Sequence, residues 1–474
     1  MIIRIDYPQP DARLDLWGGV SGTFAGLDRF NRIIDQRWQN AVGTTPADID
    51  RYKYGYDRDS NRTWKQNTVG STLDEYYTYD QLNRLATMDR GTLTGSPPSG
   101  ITGTPVKEQD WTLDPTGNWR GYVTKASGTT DLNQARASNT VNQITGITET
   151  TGPSWIDPAY DAAGNTTTFP QPTPTSSFTA TYDAWNRLKD VNDGANAVAK
   201  YDYEARNRRI VNKSYTGGTL TETRHAYYTT NWQNIEERVG SNTTADTQHV
   251  WGIRYIDELV CRDDATPARI YACQDANFNL TALISTAGSV LQRFVYEPYG
   301  IDSVRAANWS TTTDAYNWTV RFQSGRVDNG TGLYYFRNRD YVSTLGRWGQ
   351  RDSGEYIDGC NLFAFVESNP VNMTDPEGLQ TTAKNAETAN DAKPATRPTT
   401  SPATSPATRP STKPSTKPVT DPHKIAPRPR FIRKLKFEGG KIRGHHSFSF
   451  LSAHCPCPAV PRVTPSQISR SPSS

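Results

Sequence analysis

The chain has 474 residues, 34% of them hydrophobic and 21% charged, with a mean hydropathy of -0.73, which sets it among polar chains of a few ordinary domains or one large β body. It uses 24 Tyr and 12 Trp against 14 Phe and 3 Met, with 35 Gly and 31 Pro, a mixture that suits half-buried strands and frequent turns rather than helices. Five scattered Cys exclude a disulfide framework, no apolar run is long enough to span a bilayer, and the opening MIIRIDYPQPDARLD lacks the apolar stretch of a secretory signal peptide.

The net charge of +3 conceals an asymmetry. Up to Leu379 the chain carries 36 Lys and Arg against 45 Asp and Glu; from Gln380 on it carries 16 against 4. An acidic body is joined to a basic tail. The tail either stays solvated or is drawn to the body or to an anionic partner such as nucleic acid or a membrane surface.

Residues 1–26 lead in. A phrase then recurs: LDRFNRI at 27–33, YDRDSNR at 56–62, YDQLNRL at 79–85, LDPTGNW at 113–119, YDAAGNT at 160–166, YDAWNRL at 182–188 and YEARNRR at 203–209. The starts lie 21 to 34 residues apart, except for one gap of 47 that holds a half copy, VNQI at 141–144. Self-similarity at this period predicts a repeat architecture. Alternating aromatic and β-branched residues before the Asp predict a strand. The Asp turns the chain, an Asn or Gly takes the left-handed position, and a return strand follows. Such a hairpin cannot bury its apolar face alone, so neighbouring units must pair.

The series resembles the Tyr-Asp repeats of the RHS/YD-repeat family, whose relatives include the C components of bacterial ABC toxins and the teneurins. The resemblance implies an all-β fold, a spiralling sheet of hairpins forming a hollow shell, which with this few repeats is a partial shell with an open edge. An open edge invites pairing with another chain, so a second protein completing the shell is an expected partner. YACQDANFNLTALISTAGSVLQRFVYEPYG at 271–300 resembles the opening of the RHS repeat-associated core domain. TGLYYFRNRDYVSTLGRWGQRD at 331–352 and NLFAFVESNPVNMTDPEGL at 361–379 resemble its closing elements. The chain thus divides into a lead-in at 1–26, YD/RHS repeats at 27–215, and further strands with the core domain at 216–379. A Pro/Thr/Ser-rich linker at 380–427 and a basic variable segment at 428–474 complete it.

In toxin-type members of the family the core domain cuts its own chain after D-P-x-G-L, using an aspartic-protease-like pair of carboxylates assisted by an arginine. Matched onto this sequence, the resemblance places the cut between Leu379 and Gln380, the carboxylates at Asp352 and Asp375, and the arginine at Arg339. Two carboxylates held close cannot both ionise, so one can take a proton from water while the other polarises the carbonyl. The family commonly has Pro after the first carboxylate; here it is Ser353, which puts the rigid turn at that point in question. Two alternatives stay open: Asp352 and Asp375 are plain turn residues in a secreted or cell-surface binding scaffold without proteolysis, or the chain is an orphan remnant of a larger protein.

After Leu379, TRPTTSPATSPATRPSTKPSTKPVTDP at 396–422 is expected to be extended and disordered, and Glu438-Gly439-Gly440 is a candidate hairpin turn. The family resemblance casts this tail as variable cargo and the protein as secreted or cell-surface, cytoplasmic before export. His445-His446 and His454-Cys455-Pro456-Cys457 lack a usual zinc spacing; no metal and no cofactor is expected.

Overall fold

The computed structural model describes residues 4–18, 25–40, 46–70, 72–264 and 269–383. These belong to one compact unit. The Glu438 hairpin, the linker from residue 384 on and the His and Cys motifs of the tail lie outside the described residues, whereas residues 380–383, read from the sequence as the start of the linker, are described and end in the strand Thr382–Ala383.

Among the described residues there is no α-helix, only three short 3-10 turns. Antiparallel strands run as a meander, each pairing with its neighbour in sequence. Eleven form a first sheet, from Arg4–Tyr7 to Ile144–Thr151, and fourteen a second, from Ala159–Tyr160 to Asp302–Ala306. One hairpin, Leu93–Gly95 with Pro98–Ile101, stands out of the first sheet as a separate pair. In neither sheet do the first and last strands pair, so neither closes as a barrel. Where the first ends, the Asp157 carboxylate accepts the Ile147 N–H at 2.6 Å and the Tyr160 hydroxyl the Ile144 N–H at 3.2 Å.

The recurrent phrase has a job for each letter. In the 79–85 copy, Asp80 Oδ1 accepts the N–H groups of Leu82 and Arg84 at 2.9 and 3.0 Å. Asn83 sits at φ +60, a left-handed position that Asn tolerates better than most residues. Arg84 donates from Nε to Asp80 Oδ2 at 2.7 Å and reaches from Nη1 to the Asp114 carbonyl of the next turn at 2.6 Å. The Tyr79 hydroxyl donates to the Arg62 carbonyl of the previous unit at 2.6 Å. The 182–188 copy repeats the pattern, with Asn186 at φ +61, Tyr182 on the Thr166 carbonyl at 2.9 Å and Arg187 on the Glu204 carbonyl at 3.3 Å. In these two copies Tyr ties the unit backward and Arg ties it forward. Where Asn replaces that Arg, its amide bridges to the next turn's Asn: Asn61 to Asn83, Asn118 to Asn142 and Asn165 to Asn186, at 2.8 to 3.0 Å.

The space between the sheets is filled by the segment after 306. It contributes Trp318, Phe322, Phe336, Tyr341, Trp348 and Phe365 to one apolar cluster with Leu85, Met88, Trp111 and Trp119 of the first sheet and Leu280 and Phe294 of the second. Tyr341 and Phe365 approach to 4.1 Å between ring centroids. Burying an aromatic ring of this size contributes roughly 1.5–3 kcal/mol, so the filling is what makes two open sheets stable together. Asparagines dock it onto the turns. Asn369 donates to the Asn83 carbonyl at 2.7 Å, Asn372 bridges the Tyr79 hydroxyl and the Arg62 N–H at 3.0 and 2.8 Å, and Asn361 reaches Asn118 at 3.0 Å. A four-stranded sheet, Arg326–Val327, Tyr334–Phe336, Arg339–Val342 and Arg347–Trp348, lies within this filling, as does the pair Met373–Thr374 with Thr382–Ala383.

Candidate functional site

Asp375, Pro376, Glu377, Gly378 and Leu379 form a turn beside the strand Arg339–Val342. Gly378 has φ +65, and a Cβ there would meet the Phe336 carbonyl at 2.5 Å, so both backbone and space require glycine. Three consecutive residues hold the turn by its carbonyls. Arg337 donates to Pro376, Asn338 to Glu377 at 2.9 Å through its amide, and Arg339 Nε to Gly378 at 2.6 Å. Arg337 is itself paired with Asp257. The sequence marked Arg339 alone of the three; the spacing R-N-R opposite P-E-G carries no signal until strand and turn are adjacent.

Arg339 brings the other two predicted residues together. Its Nη2 lies 2.8 Å from Asp352 Oδ2 and 3.1 Å from Asp375 Oδ2, and its guanidinium stacks 4.2 Å over the Trp348 ring. All three residues are buried. The Asp352 carboxyl is pushed up to about 6, chiefly by burial, with Arg339 opposing and Asp375 adding to the rise. Burial also raises the Asp375 carboxyl, against Arg339 and two backbone N–H groups, and burial lowers Arg339. One arginine between two desolvated carboxylates neutralises one of them and leaves the other inclined to keep a proton.

The turn after Asp352 is closed without Pro. Asp352 Oδ1 accepts the Gly354 N–H at 2.6 Å, an Asx turn supplied by the carboxylate itself. A methyl group built on Gly354 would sit 3.0 Å from that oxygen and 3.4 Å from the Leu379 carbonyl oxygen. On the other side, Asp375 Oδ1 accepts the N–H groups of Leu379 and Gln380 at 3.0 and 3.2 Å. The Leu379–Gln380 peptide thus has its nitrogen against Asp375 and its carbonyl on the side of Gly354 and Asp352.

A third carboxylate was not singled out in the sequence. Asp358 ends the 3-10 turn Glu355–Asp358 and accepts the Thr381 N–H at 2.5 Å. Among the described residues no group of His, Cys, Asp and Glu is arranged to hold a metal ion, and Cys261, Cys273 and Cys360 are free thiols. No helix among them is long and apolar enough to cross a membrane.

Two open antiparallel meanders, filled by an aromatic segment that brings a buried arginine and two carboxylates to its own backbone, define an all-β shell protein. The chain is 42% identical over 92 residues to toxin subunit YenC2 of Yersinia entomophaga, covering 19% of this chain and 9% of that protein. It is 23% identical over 422 residues to the tRNA nuclease WapA of Bacillus subtilis, covering 78% of this chain and 16% of that one. Among solved structures, the TcdB2-TccC3 complex matches with a TM-score of 0.58 at 20% identity, over 80% of this chain and 19% of that one. No family model matches. The chain spans about a tenth of the length of the toxin subunits it matches. The chain is thus similar in sequence, over part of its length, to the C subunits of ABC toxins, and it shares the RHS shell fold of the TcdB2-TccC3 complex.

Proposed function

We propose that this protein is an encapsulation and processing module that cuts its own Leu379–Gln380 bond and releases the C-terminal segment from Gln380 to Ser474. The observation that carries this reading is the placement of that bond: its nitrogen lies 3.2 Å from Asp375 Oδ1, while Arg339 joins Asp375 to Asp352. In the proposed reaction Asp352, inclined to stay protonated, gives its proton to the Leu379 carbonyl oxygen as the water adds. Asp375, ionised, takes a proton from a water that attacks the carbonyl carbon. The carbon–nitrogen bond breaks as Asp375 returns that proton to the Gln380 nitrogen, and Asp352 recovers its own when the carbonyl reforms. Arg339 holds the negative charge as it passes between them.

The partial shell and the toxin-associated relatives support a role in a toxin complex outside the producing cell, the basic tail being the cargo and a second protein covering the open edges. The test is the intact mass of the freshly purified chain beside Asp375→Asn. Pieces of 379 and 95 residues in the wild type, with an uncut variant, are the expected result; an uncut wild type overturns the reading. The second reading, a binding scaffold without proteolysis, is favoured by one feature: Phe30, Leu82, Val141 and Trp185 stand exposed at four of the turn tips, where they offer an apolar rim to a protein partner.

A further inference from the structure

We infer that Asp358 is a positioning residue for this cut: by holding the Thr381 N–H it fixes the chain on the leaving side of the Leu379–Gln380 bond. The inference rests on the self-cleavage reading. On the acyl side the segment is already pinned, because Arg337, Asn338 and Arg339 hold the carbonyls of Pro376, Glu377 and Gly378. Farther along, Thr374 pairs with Thr382 and Met373 with Ala383, and the Thr382 hydroxyl donates to the Thr374 carbonyl at 3.0 Å. Between these anchors, Gln380 and Thr381 cross the site. Gln380 is held by Asp375, a carboxylate that must change its protonation during the reaction. Thr381 is held by Asp358, which need not.

The loop from Asp352 to Asp358 therefore straddles the bond. Gly354 lies against the Leu379 carbonyl oxygen at one end, and Asp358 reaches the Thr381 amide at the other. The loop has little else to do with this carboxylate. Its neighbours Tyr356 and Ile357 are 65% and 66% exposed, and Asp358 itself is half-buried, so an Asp here serving only as a surface turn residue would face water. Asp358 also adds negative charge beside both reacting carboxylates and raises each, which helps the pair retain its shared proton.

The test follows conversion of the full 474-residue chain into its two pieces after refolding. Asp358→Ala slows the cut by about a hundredfold, the effect of a small misplacement of reacting groups. Asp358→Asn, which keeps a carbonyl acceptor, restores most of the rate. In the uncut Asp375→Asn chain, adding Asp358→Ala raises amide exchange across residues 379–383. Cutting of Asp358→Ala at the wild-type rate, an Asn variant as slow as the Ala variant, or unchanged exchange each overturns the positioning role and leaves self-cleavage standing. An uncut wild type overturns self-cleavage and the positioning role with it.

Discussion

At the scale of single residues, the site turns on which groups keep their protons when buried. Asp352 and Asp375 share one arginine nitrogen, so their titration belongs to the pair. The Asp352 carboxyl, raised to about 6 chiefly by burial, keeps its proton below that pH and loses it above. The rate of self-cleavage is expected to fall as pH rises through about 6, measured as first-order conversion across a buffer series. Stability has the same sign at this group. The folded chain binds a proton between the unfolded carboxyl's value near 4 and about 6, so the contribution of Asp352 to stability declines as pH rises through that window. Asp352, Asp375 and Arg339 were marked beforehand by the resemblance of their motifs to the family's core domain. Asp358, Arg337 and Asn338 were not, since an Asp before Gly reads as a turn and an Arg-Asn pair reads as surface.

At the scale of the element, the Tyr-Asp turn explains why the chain repeats itself. The Asp closes its own turn, the Asn takes the left-handed residue, and the Tyr and Arg bind the units on either side. A hairpin made this way carries its own register and part of its neighbour's. Asn83→Ala removes both the residue suited to φ +60 and the acceptor for Asn61. It is expected to cost about 1–2 kcal/mol, read from urea unfolding of the uncut Asp375→Asn chain. The sequence made the turn legible because Asp, Asn and Gly act locally. It did not disclose the forward reach of Arg84, since its acceptor is a backbone carbonyl thirty residues on, and a carbonyl carries no residue signature.

At the scale of the whole described unit, neither sheet closes, and the filling between them does what closure would do. Trp348 sits at its centre, 1% exposed, in contact with Phe336, Tyr341 and Phe365 and beneath Arg339. Trp348→Ala is expected to cost about 3–5 kcal/mol and, by releasing Arg339, to stop the cut as well. Chemical unfolding and intact mass on the same sample check both effects. Asn361, Asn369 and Asn372 show how the filling finds its place, each bonding to a repeat turn more than two hundred residues earlier. In sequence they belong to the closing motif at 361–379, but nothing in it names the turns they bond.

The sequence by itself determined the strands, the turns and the repeat, because each follows from local backbone preference, whereas Asp352, Asp375 and Arg339 were marked only by the resemblance of their motifs to the family's core domain. Tertiary structure alone decided that the strands divide into two open sheets, that an aromatic segment fills them, and that Arg339 joins Asp352 to Asp375 beside the Leu379–Gln380 peptide. The separations of 13 and 23 residues between those three are compatible with any distance. Packing of Trp348 and the asparagine docking bring them within hydrogen-bond reach, and such long-range contacts depend on the shapes of surfaces that exist only after the chain has folded.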